Sequence, residues 1–328
     1  SIEMKRTLLS VAGSALLVAA LPLAAAAQDE DRTFYWISHG SPADPVWTFF
    51  LDGANQWAAD TGHTVNTSFH SNDVALQQEA LAAAIAAEPD GIVTSSPDPG
   101  SLIELVDQAK AAGIPIVNIN TPDPDADFDA YVGTVNKENG RLWAQYMLDN
   151  GFVEEGGFVW LPVEIPGATY ETQATEGIKE IFDPLGIEVE VTDNTLDQAE
   201  IITRMSDYMT ANRDRIDAII GLGDLVTGSI QRVFDQVGAA PGDIPVVGWG
   251  NSQETAQEIL DGYVNAAMWQ EPQWTSYTAL SLVNGAASGV PIPLTSTTDE
   301  APGFDIVIGF LYGPDDAQTY LDLLTAGQ

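Results

Sequence analysis

The chain has 328 residues, with 48 Asp+Glu against 11 Lys+Arg, a formal net charge of −37 and an ordinary hydrophobic fraction of 45%. So few basic residues argue against nucleic acid, whose phosphates are held by clustered Lys and Arg. Cysteine is absent, which excludes disulfides, thiolate metal sites, cysteine nucleophiles and a lipid-modified N-terminal Cys.

Met4-Lys5-Arg6 opens a basic segment, residues 8–23 are apolar, and four alanines (24–27) precede the polar run Gln28-Asp29-Glu30-Asp31. This is the charged region, apolar region and small-residue cleavage site of a secretory signal peptide, so residues 1–27 are expected to be removed and the chain exported to the periplasm. The alternative, an uncleaved anchor, would need about 20 apolar residues, and this stretch is marginal for that. The acidity suits a surface that stays dispersed where salt screens its self-repulsion, or is simply that of an acidic exported protein.

From residue 33 the pattern alternates. Residues 33–38 read as a strand and 46–59 as a helix, with Phe50, Ala54, Trp57 and Ala58 on one face. Strands at 63–69, 91–94 and 114–120 alternate with helices at 73–87 and 101–112, the last stopped by Gly113. After a loop at 121–129 the beat restarts: strands at 157–161, 187–191, 218–222 and 245–249, helices at 137–149, 171–182, 197–211 and 225–237. Such alternation predicts an α/β fold with two doubly wound, parallel-sheet lobes.

Doubly wound sheets place ligands beyond the C-terminal ends of their strands. The residues leaving the expected strands are short hydrogen-bonding side chains and large aromatics, with almost no positive charge. They include His39, Ser95, Ser96, Asn118, Asn120, Thr121, Glu164, Asp224, Trp249, Asn251, Trp269 and Gln270. Amides and carboxylates accept from hydroxyls and flat rings cover C–H faces, so this palette suits a neutral polyhydroxylated ligand.

Other motifs fail on inspection. Gly221-x-Gly223 with Gly228 carries Val226 where a dinucleotide loop wants a third small residue. Asp123, Asp125 and Asp127 imitate a calcium loop, but Phe128 stands at the glycine position and Thr134 at the final glutamate position. His39, His63 and His70 lack zinc spacing, and there is no Gly-x-Ser-x-Gly elbow. No cofactor and no catalytic residues are expected.

Several segments together carry a resemblance: SHGSPADPVW at 38–47, PDGIV at 89–93, AAGIPIVNIN at 111–120, GLGD at 221–224, IPVVG at 244–248 and AMWQ at 267–270. In order and spacing the chain resembles the ribose-type periplasmic sugar-binding proteins of ABC importers, the type I clamshell family, from residue 33 onward. The resemblance implies a non-enzymatic receptor that closes two lobes on a monosaccharide or polyol and docks on an inner-membrane permease, and a chemoreceptor could use the same closed surface. A receptor for a furanosyl signal on the same fold, or an exported carbohydrate-active enzyme, are the alternatives. It implies an N-terminal lobe of residues 32–134 plus 271–300 and a C-terminal lobe of 135–270 plus 301–328, with crossings near Thr134, near Gln270 and at 297–303. The family's ligand positions fall on Asp44 and Trp47, on Asn120 and Thr121, on Asn136, near Thr172 with Tyr170 beside it, and on Asp224, Asn251 and Gln270. Two arginines of the ribose pattern are missing here, so ribose is not the expected ligand, while Trp47, Trp249 and Trp269 would make the pocket more aromatic.

Overall fold

The computed structural model describes residues 31–42, 45–293 and 310–326. The expected leader (1–27), Asp44 and the expected third crossing (297–303) lie outside the described residues. The first half contains β1 (Thr33–Ser38), α1 (Pro45–Thr61), β2 (Thr64–Phe69), α2 (Val74–Ala86), β3 (Gly91–Ser95), α3 (Ile103–Ala111), β4 (Ile116–Ile119) and β5 (Ala130–Val132). The second contains α4 (Asn136–Asp149), β6 (Phe158–Val163), α5 (Thr169–Phe182), β7 (Glu188–Asp193), α6 (Gln198–Asn212), β8 (Ala218–Gly221), α7 (Asp224–Thr227), α8 (Ile230–Val237), β9 (Val246–Trp249), α9 (Gln253–Leu260) and β10 (Ala266–Trp269). Then come α10 (Pro272–Ala287), β11 (Phe310–Tyr312) and α11 (Pro314–Ala326).

The strands pair into two sheets, ordered β2-β1-β3-β4-β5 and β11-β10-β9-β8-β6-β7. Among the described residues every pairing is parallel except β10 with β11. The central strands β3, β4, β6, β8 and β9 are buried along their whole length, as sheets covered by helices on both faces require. Tryptophan fills much of the core, and each of four buried indoles finds an acceptor: Trp36 on Ser276 Oγ, Trp57 on Ser281 Oγ, Trp160 on Thr192 Oγ1 and Trp143 on the Gly248 carbonyl. Two of these bonds run to α10, which packs on α1 and on the first sheet although the chain reaches it only after β10.

Helix starts follow side-chain capping. Asp73, Asp197 and Ser252 accept from the amides of Leu76, Glu200 and Thr255. The expected helix at 225–237 is instead two helices, α7 and α8, broken at Gly228 and Ser229. Thr227 and Ser229 turn their hydroxyls back onto the carbonyls of Gly223 and Leu225, and glycine adds little helix preference there. The polar segment expected to be a loop ends in β5, whose three residues are too few to show a period.

Candidate functional site

The C-terminal ends of both sheets open on one cleft of about 360 Å³, where a switch in strand order leaves space between adjacent connections. From the first sheet it is lined by His39 after β1, Asn72 after β2, Ser96 after β3, Asn120 and Thr121 after β4, and Thr134 after β5. Asn136 at the start of α4, Glu164 after β6, Tyr170 in the first turn of α5, Gly223 and Asp224 after β8, Trp249 and Gln270 complete it from the second. Among the described residues no Lys or Arg lines it.

The first wall is held by its own hydrogen bonds. Thr121 Oγ1 accepts from the Ser96 amide at 3.0 Å, and Asn118 donates to the Thr121 carbonyl at 2.7 Å. Asn120 leaves β4 in the left-handed region (φ 64°), a conformation that Asn tolerates well. The Tyr131 hydroxyl clamps that turn by donating to the Thr134 carbonyl at 2.7 Å, with the Asn120 carbonyl 3.1 Å away. Asp123 is engaged by the Ser96 hydroxyl and the Gly100 and Asp125 amides, and Asp127 pairs with Lys110. The acidic run therefore acts as a braced turn.

The second wall carries the charge. Glu164 accepts from the Leu225 amide at 2.6 Å and the Val226 amide at 3.3 Å, capping α7 across the strand ends. Gly223, at φ 154°, passes so close that a Cβ there would collide with the Glu164 carboxylate. Asp224 accepts from the Asn251 amide at 2.8 Å. Trp249 stands edge-on to Trp143, with ring centroids 5.2 Å apart. The Tyr170 hydroxyl is buried, with the Ile165 backbone beside it. Burial first, then the nearby Glu164 carboxylate, pushes its pKa far above the usual phenol range, so it remains a neutral donor. Asn136 donates to Gln173 Oε1 at 3.1 Å, which orients its amide at the start of α4.

Of the residues expected at the site, the cleft brings together Asn120, Thr121, Asn136, Tyr170, Asp224, Trp249 and Gln270. Four others are not among its lining residues. Trp47 shares the buried face of α1 with Phe50 and packs behind His39, whose ring centroid is 4.8 Å away. Thr172 is exposed, because the period of α5 turns Glu171, Ala174 and Ile178 inward, and its hydroxyl bonds the carbonyls of Ala168 and Thr169. Asn251 is buried with its side-chain amide unpartnered. Trp269 alternates away from Gln270 and packs between Phe49 of α1 and Tyr320 of α11. Asn72 lines the cleft without having been singled out by sequence, and Thr134, expected near a crossing and not as a ligand position, lines it too; both leave edge strands, where strand-end reasoning is weakest.

Residues 34–290 match the periplasmic binding protein domain family. The D-apiose import binding protein of Actinobacillus succinogenes is 26% identical over 236 residues, covering 70% of this chain and 74% of that protein. A sugar-binding protein of a sugar ABC transporter from Bacillus halodurans superposes with TM-score 0.76 at 22% identity, covering 88% of this chain and 99% of the other. A solute-binding protein from Burkholderia graminis solved with D-arabinose gives 0.74 at 21%, covering 88% and 98%. With the family match extending over most of the chain and the same two-sheet architecture in those structures, this chain belongs to the periplasmic binding protein family.

Proposed function

We propose that the protein is a non-catalytic receptor that captures a neutral monosaccharide or polyol between its lobes and delivers it to the permease of an ABC importer. The observation that carries this reading is the cleft itself. Strand ends of two sheets converge on a volume at the small end of ligand pockets, lined by amides, hydroxyls, two carboxylates and an indole, with no cation. Curated relatives named for sugar import support the choice of ligand class. Both carboxylates are engaged with backbone amides, Glu164 at α7 and Asp224 at Asn251, which favours holding over acid–base chemistry.

Under this reading the lobes comprise residues 32–134 with 271–300 and 135–270 with 301–328. Ligand favours the closed arrangement because only that arrangement contacts it from both sides. Export through the leader at 1–27 belongs to the same proposal, and mature protein recovered from the periplasm should begin at Gln28.

A thermal-shift panel of pentoses, hexoses, inositols and linear polyols tests it. A ligand at about 100 times its Kd adds roughly 2.7 kcal/mol, enough for a shift of several degrees. One stereochemical class should raise the midpoint and be recovered unchanged. Consumption of the compound, or no shift from any member, would overturn the receptor reading.

A further inference from the structure

His39 lines the cleft with its backbone and its ring both held by neighbouring groups. It is the first residue beyond β1, and its backbone N–H donates to Ser95 Oγ at 3.0 Å. Its ring Nδ1 lies 2.6 Å from the same oxygen. Ser95 is fully buried at the end of β3. A serine hydroxyl has a single proton to donate. Its oxygen already accepts the His39 amide, and among the described residues Nδ1 is the acceptor the hydroxyl reaches. The arrangement that gives the hydroxyl proton an acceptor directs it at Nδ1, which leaves the ring proton on Nε2.

The ring is also held in place. Trp47 packs against it with centroids 4.8 Å apart and planes at 76°. Gly40 leaves no room for a side chain beside that indole. The His39 carbonyl accepts from the Asn72 amide at 2.7 Å and the Gly40 carbonyl from the Ser71 amide at 2.9 Å, which ties the turn to the end of β2. The ring lines the cleft, and Nε2 has no protein partner among the described residues.

We propose that His39 is a ligand-contacting residue that presents a fixed, neutral Nε2–H donor to an acceptor oxygen of the bound ligand, with Ser95 as the positioning residue that sets the tautomer. The assignment rests on the reading of the cleft as a sugar or polyol site, and it places a hydroxyl or ether oxygen of that ligand against the end of β1. Burial lowers the His39 pKa to about 4, so the donor stays neutral across the physiological range. The titratable groups around it are Glu164, Tyr170 and Asp224 across the cleft, and His70, Asp73 and Asp123 on its own lobe. None of them is hydrogen-bonded to the ring. Binding of a neutral ligand should therefore be flat with pH.

The test uses the full mature chain labelled with 15N-histidine. Long-range 15N–1H spectra should show His39 with a protonated Nε2 and a bare Nδ1, without titration between pH of about 5 and 8. Calorimetry with the compound found in the panel should show His39→Phe weakening binding roughly 10- to 100-fold, His39→Gln recovering part of the loss, and Ser95→Ala both weakening binding and mixing the tautomers. A protonated Nδ1 in the wild-type spectrum overturns the proposal, as does wild-type affinity in a folded His39→Phe protein. If the wild-type protein binds nothing in the panel, the receptor reading fails, and the spectrum still decides the tautomer.

Discussion

Asn136, at the start of α4, and Gln270, just after β10, both line the cleft, so each is within reach of a ligand held there. Replacing either with Ala should weaken binding by about 1–3 kcal/mol, measurable by calorimetry, while Thr172→Ala, on the exposed face of α5, should leave affinity unchanged. Which residues leave the strands was legible because topology alone puts strand ends at the cleft; which way each side chain then turns was not. Trp47 and Trp269 are claimed by helix packing on the core side, one by the period of α1 and the other by the alternation of β10, and a strand-end position does not reveal that competition. Glu258 was equally silent. It is buried in α9 with one carboxylate oxygen accepting from the Gln231 amide and the other unpartnered. Burial raises its pKa from 4.5 to about 8, with the Gln231 amide opposing the shift. The neutral acid is thus favoured in the folded chain while the unfolded chain ionises near its ordinary value. Its contribution is fully present below about pH 4.5 and is lost as pH rises toward about 8. Glu258→Gln should remove that slope, so the difference in Tm between variant and wild type should widen in the variant's favour from pH of about 5 to 8; a constant difference would contradict it.

The α4–α5 pair shows how packing along two helices sets the cleft at their ends. The two helices approach until a Cβ at Gly140 would collide with the Ala174 carbonyl oxygen, and one at Gly177 with the Lys137 carbonyl oxygen. Asn136 begins α4 and Tyr170 lies in the first turn of α5, so this contact fixes the spacing of two cleft residues. Lys137 and Arg141 bridge to Glu176 and Glu180 across the two helices, but pairs this exposed add little. Intrinsic preference alone would make Gly140→Ala stabilising by about 1 kcal/mol. Packing reverses the sign: the variant should lose about 1–3 kcal/mol and bind ligand more weakly, and a raised Tm would refute the close approach. The alternation of strand and helix was readable because buried strands give unbroken apolar runs and their helices carry a different period. The α7–α8 break and β5 were not, because one depends on side-chain hydroxyls returning to their own backbone and the other is shorter than any periodic signal.

At the scale of the whole molecule, acids outnumber bases by more than four to one, with 48 against 11 and a net charge of −37. Salt acts on two opposing terms. It weakens the surface pairs of Lys137, Arg141, Arg204, Arg213 and Arg215, which are partly exposed and contribute little each. It also screens repulsion among the many carboxylates without a basic partner, and that term grows with the surplus charge. The screening length falls from about 30 Å at 0.01 M to about 3 Å at 1 M, so repulsion acting across a whole lobe at low salt is confined to near neighbours at high salt. With so few cations to lose, the second term should dominate. Tm should rise steadily with KCl from about 0.01 M to 1 M, and sodium chloride should give the same curve, since screening does not depend on the cation. A Tm that falls with salt would mean that the few ion pairs outweigh the surplus, and a rise with only one of the two salts would point to a specific ion site in place of screening. The cleft should share the trend only weakly. Its ligand is neutral and its histidine is held uncharged, so affinity should change little over the same range while stability climbs.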